Sequence, residues 1–136
     1  MKDMRERGQV TVLVLGLGML AFAVSGLAVD GTRAFLFRRT LQSAADAAAI
    51  AGTSELDRSL YYGSGGRVRS LDAESARSAT YRWIALRGIG SRAQVTVSSQ
   101  QVRVVMRDEV PTMFLGLVGV GSIPVGVEAV AEPRAG

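Results

Sequence analysis

Between Arg7 and Asp30 the chain carries no charge, and Gly8 to Val29 reads GQVTVLVLGLGMLAFAVSGLAV. A stretch of about 22 residues makes roughly 33 Å of helix, enough to cross the hydrocarbon core of a bilayer. Its leucines, valines and Phe22 each favour insertion by roughly 0.3 to 0.6 kcal/mol, which outweighs the smaller costs of Thr11, Ser25 and the glycines. A transmembrane helix over 9–29 is therefore expected, behind a short basic leader at 1–8. A cleaved signal peptide is the rival: Lys2, Arg5 and Arg7 would form its basic start, Val10 to Leu20 its apolar core, and Ala21 to Ala23 a small-x-small cleavage site. Apolar character running on to Val29 favours the anchor. Cations stand on both sides, Lys2, Arg5 and Arg7 before the span and Arg33, Arg38 and Arg39 after it, so charge does not choose the orientation. Ala21 and Ser25 form a small-xxx-small pair that would let a second helix approach closely, although glycine and small residues are common in membrane helices anyway.

Nothing from Asp30 to Leu60 forces a break, since the segment has no proline and is rich in alanine, the best helix former. The expectation is one helix from the membrane to about Leu60, its 30–60 part an Ala-rich extension, with Asp30 and Arg33 pairing at i,i+3. Around Asp46, at 100° per residue, the positions within about 40° are Phe35, Arg39, Gln42, Ser43, Ile50, Thr53 and Asp57, a mostly polar stripe. Phe37, Leu41, Ala44, Ala48 and Ala51 lie opposite, a thin apolar face on which another element can pack. Asp46 is then a solvated or inter-subunit residue and not a catalyst.

Beyond Leu60 the 61–136 part is expected to form a small α+β domain. Tyr61 to Ser70 is a glycine- and serine-rich loop; Ser70 can cap a second helix with Asp72 and Glu74 in its first turn, and Gly88 can stop it. Ala76, Ala79, Trp83 and Leu86 give that helix one apolar face, with Trp83 as core anchor ahead of ligand platform. The period then changes to two. Val95 and Val97 alternate with polar residues, as do Val102, Val104 and Met106, with Ser98 to Gln101 as the turn of a hairpin. Ile123, Val125, Val127, Ala129 and Ala131 mark a third strand, which Pro124 confines to an edge or to pairing through its later half. The apolar VPTMFLGLVGVGS between strands looks like a helical turn or two started by Thr112; it either plugs the core or touches a partner or the bilayer.

With no cysteine and no histidine the chain lacks thiolate nucleophiles, imidazole bases and the usual nitrogen or sulfur metal ligands. No catalytic, cofactor or metal site is expected, and no small-molecule substrate. The formal charge is +4, but Arg77, Arg82 and Arg87 step around their helix instead of lining one face, so nucleic acid is not an expected partner. Asp72 with Glu74 and Asp108 with Glu109 are read as capping or solvent features.

Three phrases in order, RGQVTVL before the span, LAVDGTR at its exit and LQSAADAAAIAG downstream, resemble the N-terminal region of TadE/TadG-like proteins of the Flp, or tight-adherence, pilus machinery. The matching positions are Ala28, Val29, Asp30 and Arg33, then Leu41, Gln42, Ala44, Ala45, Asp46 and the alanines that follow. The three-strand ending also resembles short members. The resemblance implies a pilin-like or pseudopilin-like subunit, or assembly factor, with a cytoplasmic N-terminus and an extracytoplasmic C-terminal domain. It implies other pilus or secretion subunits as partners; the thin faces at Ala21 and Ser25 and at Ala44, Ala48 and Ala51 are where helix–helix self-assembly would pack. Pilin-type precursors are often cut after a glycine with a glutamate five residues on, which makes Gly8–Gln9 the candidate processing point; Leu13 stands in the place of that glutamate. The long members' metal-dependent adhesion domain has no counterpart, since there is no D-x-S-x-S run.

The expected architecture is thus α+β: a long N-terminal helix, a second helix and a small antiparallel sheet of about three strands. The alternative function is a membrane-tethered binding module without a filament role, using the Met113 to Val120 segment or a sheet edge.

Overall fold

The computed structural model describes residues 3–62, 68–88, 92–98 and 100–132. Helix α1 runs from Asp3 to Tyr62 without interruption, as expected of a segment with no proline; Gly31 and Gly52 are carried inside it. Helix α2 spans Val68–Leu86, and strands β1 (Arg92–Val97), β2 (Val102–Pro111) and β3 (Ser122–Ala131) form an antiparallel sheet in the order β1-β2-β3. A four-residue 3-10 turn, Leu115–Val118, lies between β2 and β3. The expected α+β fold is the one observed. Part of the expected Tyr61 to Ser70 loop, residues 63–67, lies outside the described residues.

Two details of α2 differ from expectation. The helix begins at Val68, so Ser70 lies inside it and Asp72 and Glu74 fall past its first turn. Its buried face is Ala76, Thr80 and Ile84, whereas Leu86 is exposed and Trp83 is half-buried with the Arg87 guanidinium 4.8 Å from its ring centre. The shift in phase comes from Thr80. Its hydroxyl donates to the Ala76 carbonyl at 2.8 Å, so a nominally polar residue enters the core with its donor satisfied.

The chain divides into two compact units. One comprises residues 36–109 with 124–136, the other residues 1–35 with 110–123. In the first, the alternation of β1, β2 and β3 places Val95, Val102, Val104, Met106, Val125, Val127 and Ala129 in the core. The hairpin register sets Val95 opposite Val104 and Val97 opposite Val102. Ser98 closes its turn: its backbone N–H donates to the Gln101 carbonyl at 2.9 Å, and its hydroxyl oxygen accepts from the Gln101 N–H at 3.2 Å; Ser99 lies outside the described residues. From α1 the same core receives Leu41, Ala44, Ala45, Ala48, Ala49 and Gly52. A Cβ on Gly52 would collide with the Thr80 hydroxyl and lie 3.1 Å from a Val102 methyl, so the close approach here depends on a residue without a side chain.

The other unit joins the N-terminal part of α1 to the loop that connects β2 and β3. Phe114 packs on the helix, its ring edge-on to Phe22 with centroids 5.6 Å apart. Gly26 is buried beneath it, and an added Cβ would stand only 2.6 Å from the Phe114 Cβ. Thr112 does not begin the 3-10 turn. Its backbone N–H donates to the Gly121 carbonyl at 3.1 Å and its hydroxyl donates to the Val120 carbonyl, so it ties the two legs of the loop together.

Candidate functional site

The donors at the start of the 3-10 turn face a problem common to helix N-termini: their N–H groups have no partner within the turn. They meet it through Asp30, 83 to 85 residues earlier in the chain. Its carboxylate accepts from the N–H groups of Met113 at 2.9 Å, Phe114 at 2.9 Å and Leu115 at 2.8 Å. Asp30 is buried, and these charge-assisted bonds, Leu115 and Met113 foremost, hold its carboxyl below the ordinary carboxylate range against the opposing effect of burial; Arg33 adds a small further push in the same direction. The expected Asp30–Arg33 contact is therefore subordinate. Asp30 is chiefly a long-range cap, and Arg33 is exposed one turn further on.

Around this cap the helix offers a continuous apolar surface. Large side chains from Val10 to Val29 are exposed, as are Met113, Leu117, Val118 and Val120 of the loop. An open groove of about 880 Å³ runs along α1 past Val14, Met19 and Phe22 to Phe114 and Leu117. The α1 helix is long and apolar enough to cross a membrane. Ala21 and Ser25 are both exposed, with the Ser25 hydroxyl turned back to the Ala21 carbonyl at 2.8 Å, a donor satisfied without leaving the helix.

The Ala-rich signature sits in the other unit and has two sides. Leu41, Ala44, Ala45 and Ala48 are buried and Ala51 is half-buried. Asp46 is exposed and accepts a hydrogen bond from Gln42 Nε2 at 2.9 Å; the same amide nitrogen donates to the Glu128 carbonyl on β3, also at 2.9 Å. Gln42 thus fastens α1 to a sheet edge, and Asp46 orients that amide. The Glu128 side chain pairs with Arg103 on the neighbouring strand at 2.9 Å, a half-exposed bond of small value. Thr53, counted above with the polar stripe, is buried, its hydroxyl donating to the Ile50 carbonyl at 2.9 Å. Among the described residues no three acidic side chains come together in a way that could hold a metal ion.

Sequence reasoning passed over the capping role of Asp30. The only signal was a lone carboxylate at the end of a long uncharged stretch, together with a second uncharged stretch, Val110 to Val127, whose backbone donors need partners.

The geometry defines a class: an α+β protein with an N-terminal helix able to span a bilayer and a loop tied to the point where that helix leaves its uncharged stretch. Residues 8–55 match the family model described as "Putative Flp pilus-assembly TadE/G-like". The chain is similar to that family over this segment, which takes in Asp30, Arg33 and the whole Ala-rich signature. No curated protein and no solved structure gives a significant match.

Proposed function

We propose that the protein is a membrane-anchored, pilin-like or pseudopilin-like subunit or assembly factor of a Flp/Tad-type pilus or a related secretion apparatus. The observation that carries this reading is the family match across 8–55, a segment that coincides with the apolar and Ala-rich parts of α1. The family is one of pilus assembly and not of enzymes, and the chain has no histidine or cysteine with which to build a common catalytic centre. Two facts bear on how such a subunit would meet its neighbours. Ala44 and Ala48 are taken up by the chain's own core, whereas Ala21 and Ser25 remain exposed and offer a thin surface to another helix. Helix–helix assembly accordingly uses the membrane part of α1, with the short N-terminus in the cytoplasm and the remainder outside it.

Deleting the chain in its host abolishes pili or the associated secretion, and the full-length chain restores them. Intact pili and secretion in the deletion strain would defeat the proposal and leave the tethered binding module. Because no native cysteine interferes, Ala21→Cys gives a clean probe: oxidation yields a crosslink to another subunit if this face packs in the assembly.

A further inference from the structure

We infer that Thr112 to Val120 is a second membrane-contacting element, an apolar loop seated in bilayer lipid beside the end of the spanning part of α1. The inference rests on the reading of α1 as a membrane helix. Four observations point to lipid as the occupant. The chain has no charged residue from Val110 to Val127. Leu117 and Val118 are 75% and 73% exposed, and with Met113 they continue the exposed apolar surface of α1 around the groove at Phe22 and Phe114. Phe114 seats the loop on Gly26, so the loop sits at the last turn of the uncharged stretch. Exposed Arg33 follows about 10 Å further along the helix axis, beyond the last uncharged turn, where a cation can meet lipid phosphate.

Beside these four stands the state of the backbone. Hydrocarbon tolerates non-helical backbone only where its polar groups are satisfied within the protein. Asp30 accepts the N–H groups of Met113, Phe114 and Leu115. Thr112 donates to Gly121, Leu117 to Phe114, Gly119 to Gly116 and Val120 to Leu115. In water the Asp30 cap would be one convenience among many, since solvent can serve the same donors. At the lipid boundary, where water is scarcer, an acceptor supplied by the protein itself matters more.

Single cysteines at Leu117, Leu15 and Gln100 of the full-length chain, each carrying an environment-sensitive fluorophore, test this in phosphatidylcholine–phosphatidylglycerol vesicles doped with nitroxide-labelled lipid. The Leu117 label should lose most of its emission to nitroxides placed near the headgroups and little to aqueous iodide; the Leu15 label should respond to nitroxides deep in the acyl chains, and the Gln100 label to iodide alone. A Leu117 label quenched by iodide and not by lipid, with Leu15 still lipid-quenched, overturns the loop's insertion and spares the membrane helix. Loss of lipid quenching at both positions overturns the membrane reading and this inference with it. Protection of Leu117 from both quenchers, with energy transfer between labelled copies, would assign the loop to a second copy of the chain and overturn lipid as the occupant. Asp30→Asn should reduce lipid quenching at Leu117 while leaving Leu15 unchanged; unchanged quenching at Leu117 would sink this role of the cap.

Discussion

Asp30 holds three consecutive backbone donors with two carboxylate oxygens, a role that neither a shorter nor a neutral side chain reproduces. Asp30→Asn keeps the shape but replaces one acceptor with a donor, and it should lower the denaturation midpoint of the full chain in detergent and broaden the amide signals of Met113 to Leu115; unchanged amide signals would show the cap to be dispensable. The same contact predicts an acid limb. A carboxyl whose native pKa lies below its unfolded value of about 4 binds its proton later in the native state, so its contribution is complete above that value. It fades as pH falls through the lowered native pKa. Loop order monitored at Leu115 should therefore persist below pH 4 and collapse further down, a collapse that Asp30→Asn removes. Gly26 is the matching constraint on the helix side. Gly26→Leu drives a side chain into Phe114, at a cost of about 1 to 3 kcal/mol by the usual penalty for overpacking, measurable by denaturant titration.

Within the elements, alternation and helical period carried most of the fold. The three strands and the unbroken α1 were legible because period two and the absence of proline are local properties. The phase of α2 was not: Thr80 entered the core and Leu86 left it, since a hydroxyl satisfied by its own helix costs little to bury and no window of sequence reports on that. Gly52 shows how two effects compete. Gly52→Ala gains about 1 kcal/mol of helix propensity but must displace the Thr80 hydroxyl and crowd a Val102 methyl, which costs about 1 to 3 kcal/mol, so net destabilisation is expected in thermal melts. Met106, fully buried on β2, should cost about 2 to 5 kcal/mol when cut to alanine. Asp46→Ala, at an exposed position hydrogen-bonded to Gln42, should stay within about 0.5 kcal/mol of the parent; a loss of several kcal/mol would mean that the Gln42 bridge to Glu128 depends on it.

For the whole molecule, retention of the first helix is the decisive expectation. Phe22, Gly26 and Asp30 all hold the β2–β3 loop, so a chain cut after Ala23 would lose the Phe22 contact and much of the apolar surface. Mass spectrometry of the membrane-bound protein should find Phe22 to Gly26 intact, and a mature chain starting at Val24 would contradict the anchor. Reading along the chain suffices for the bilayer-length uncharged stretch, the helix that continues from it, the three alternating strands and the likeness to TadE/TadG-like proteins. All of these reside in residues close together along the chain, where periodicity and composition act. What Asp30 does, why Gly26 and Gly52 are glycine, and how Gln42 reaches the sheet emerge only from the fold. Each of those depends on partners tens of residues away, and a hydrogen bond or a steric limit exists only once folding has brought both sides within a few ångströms.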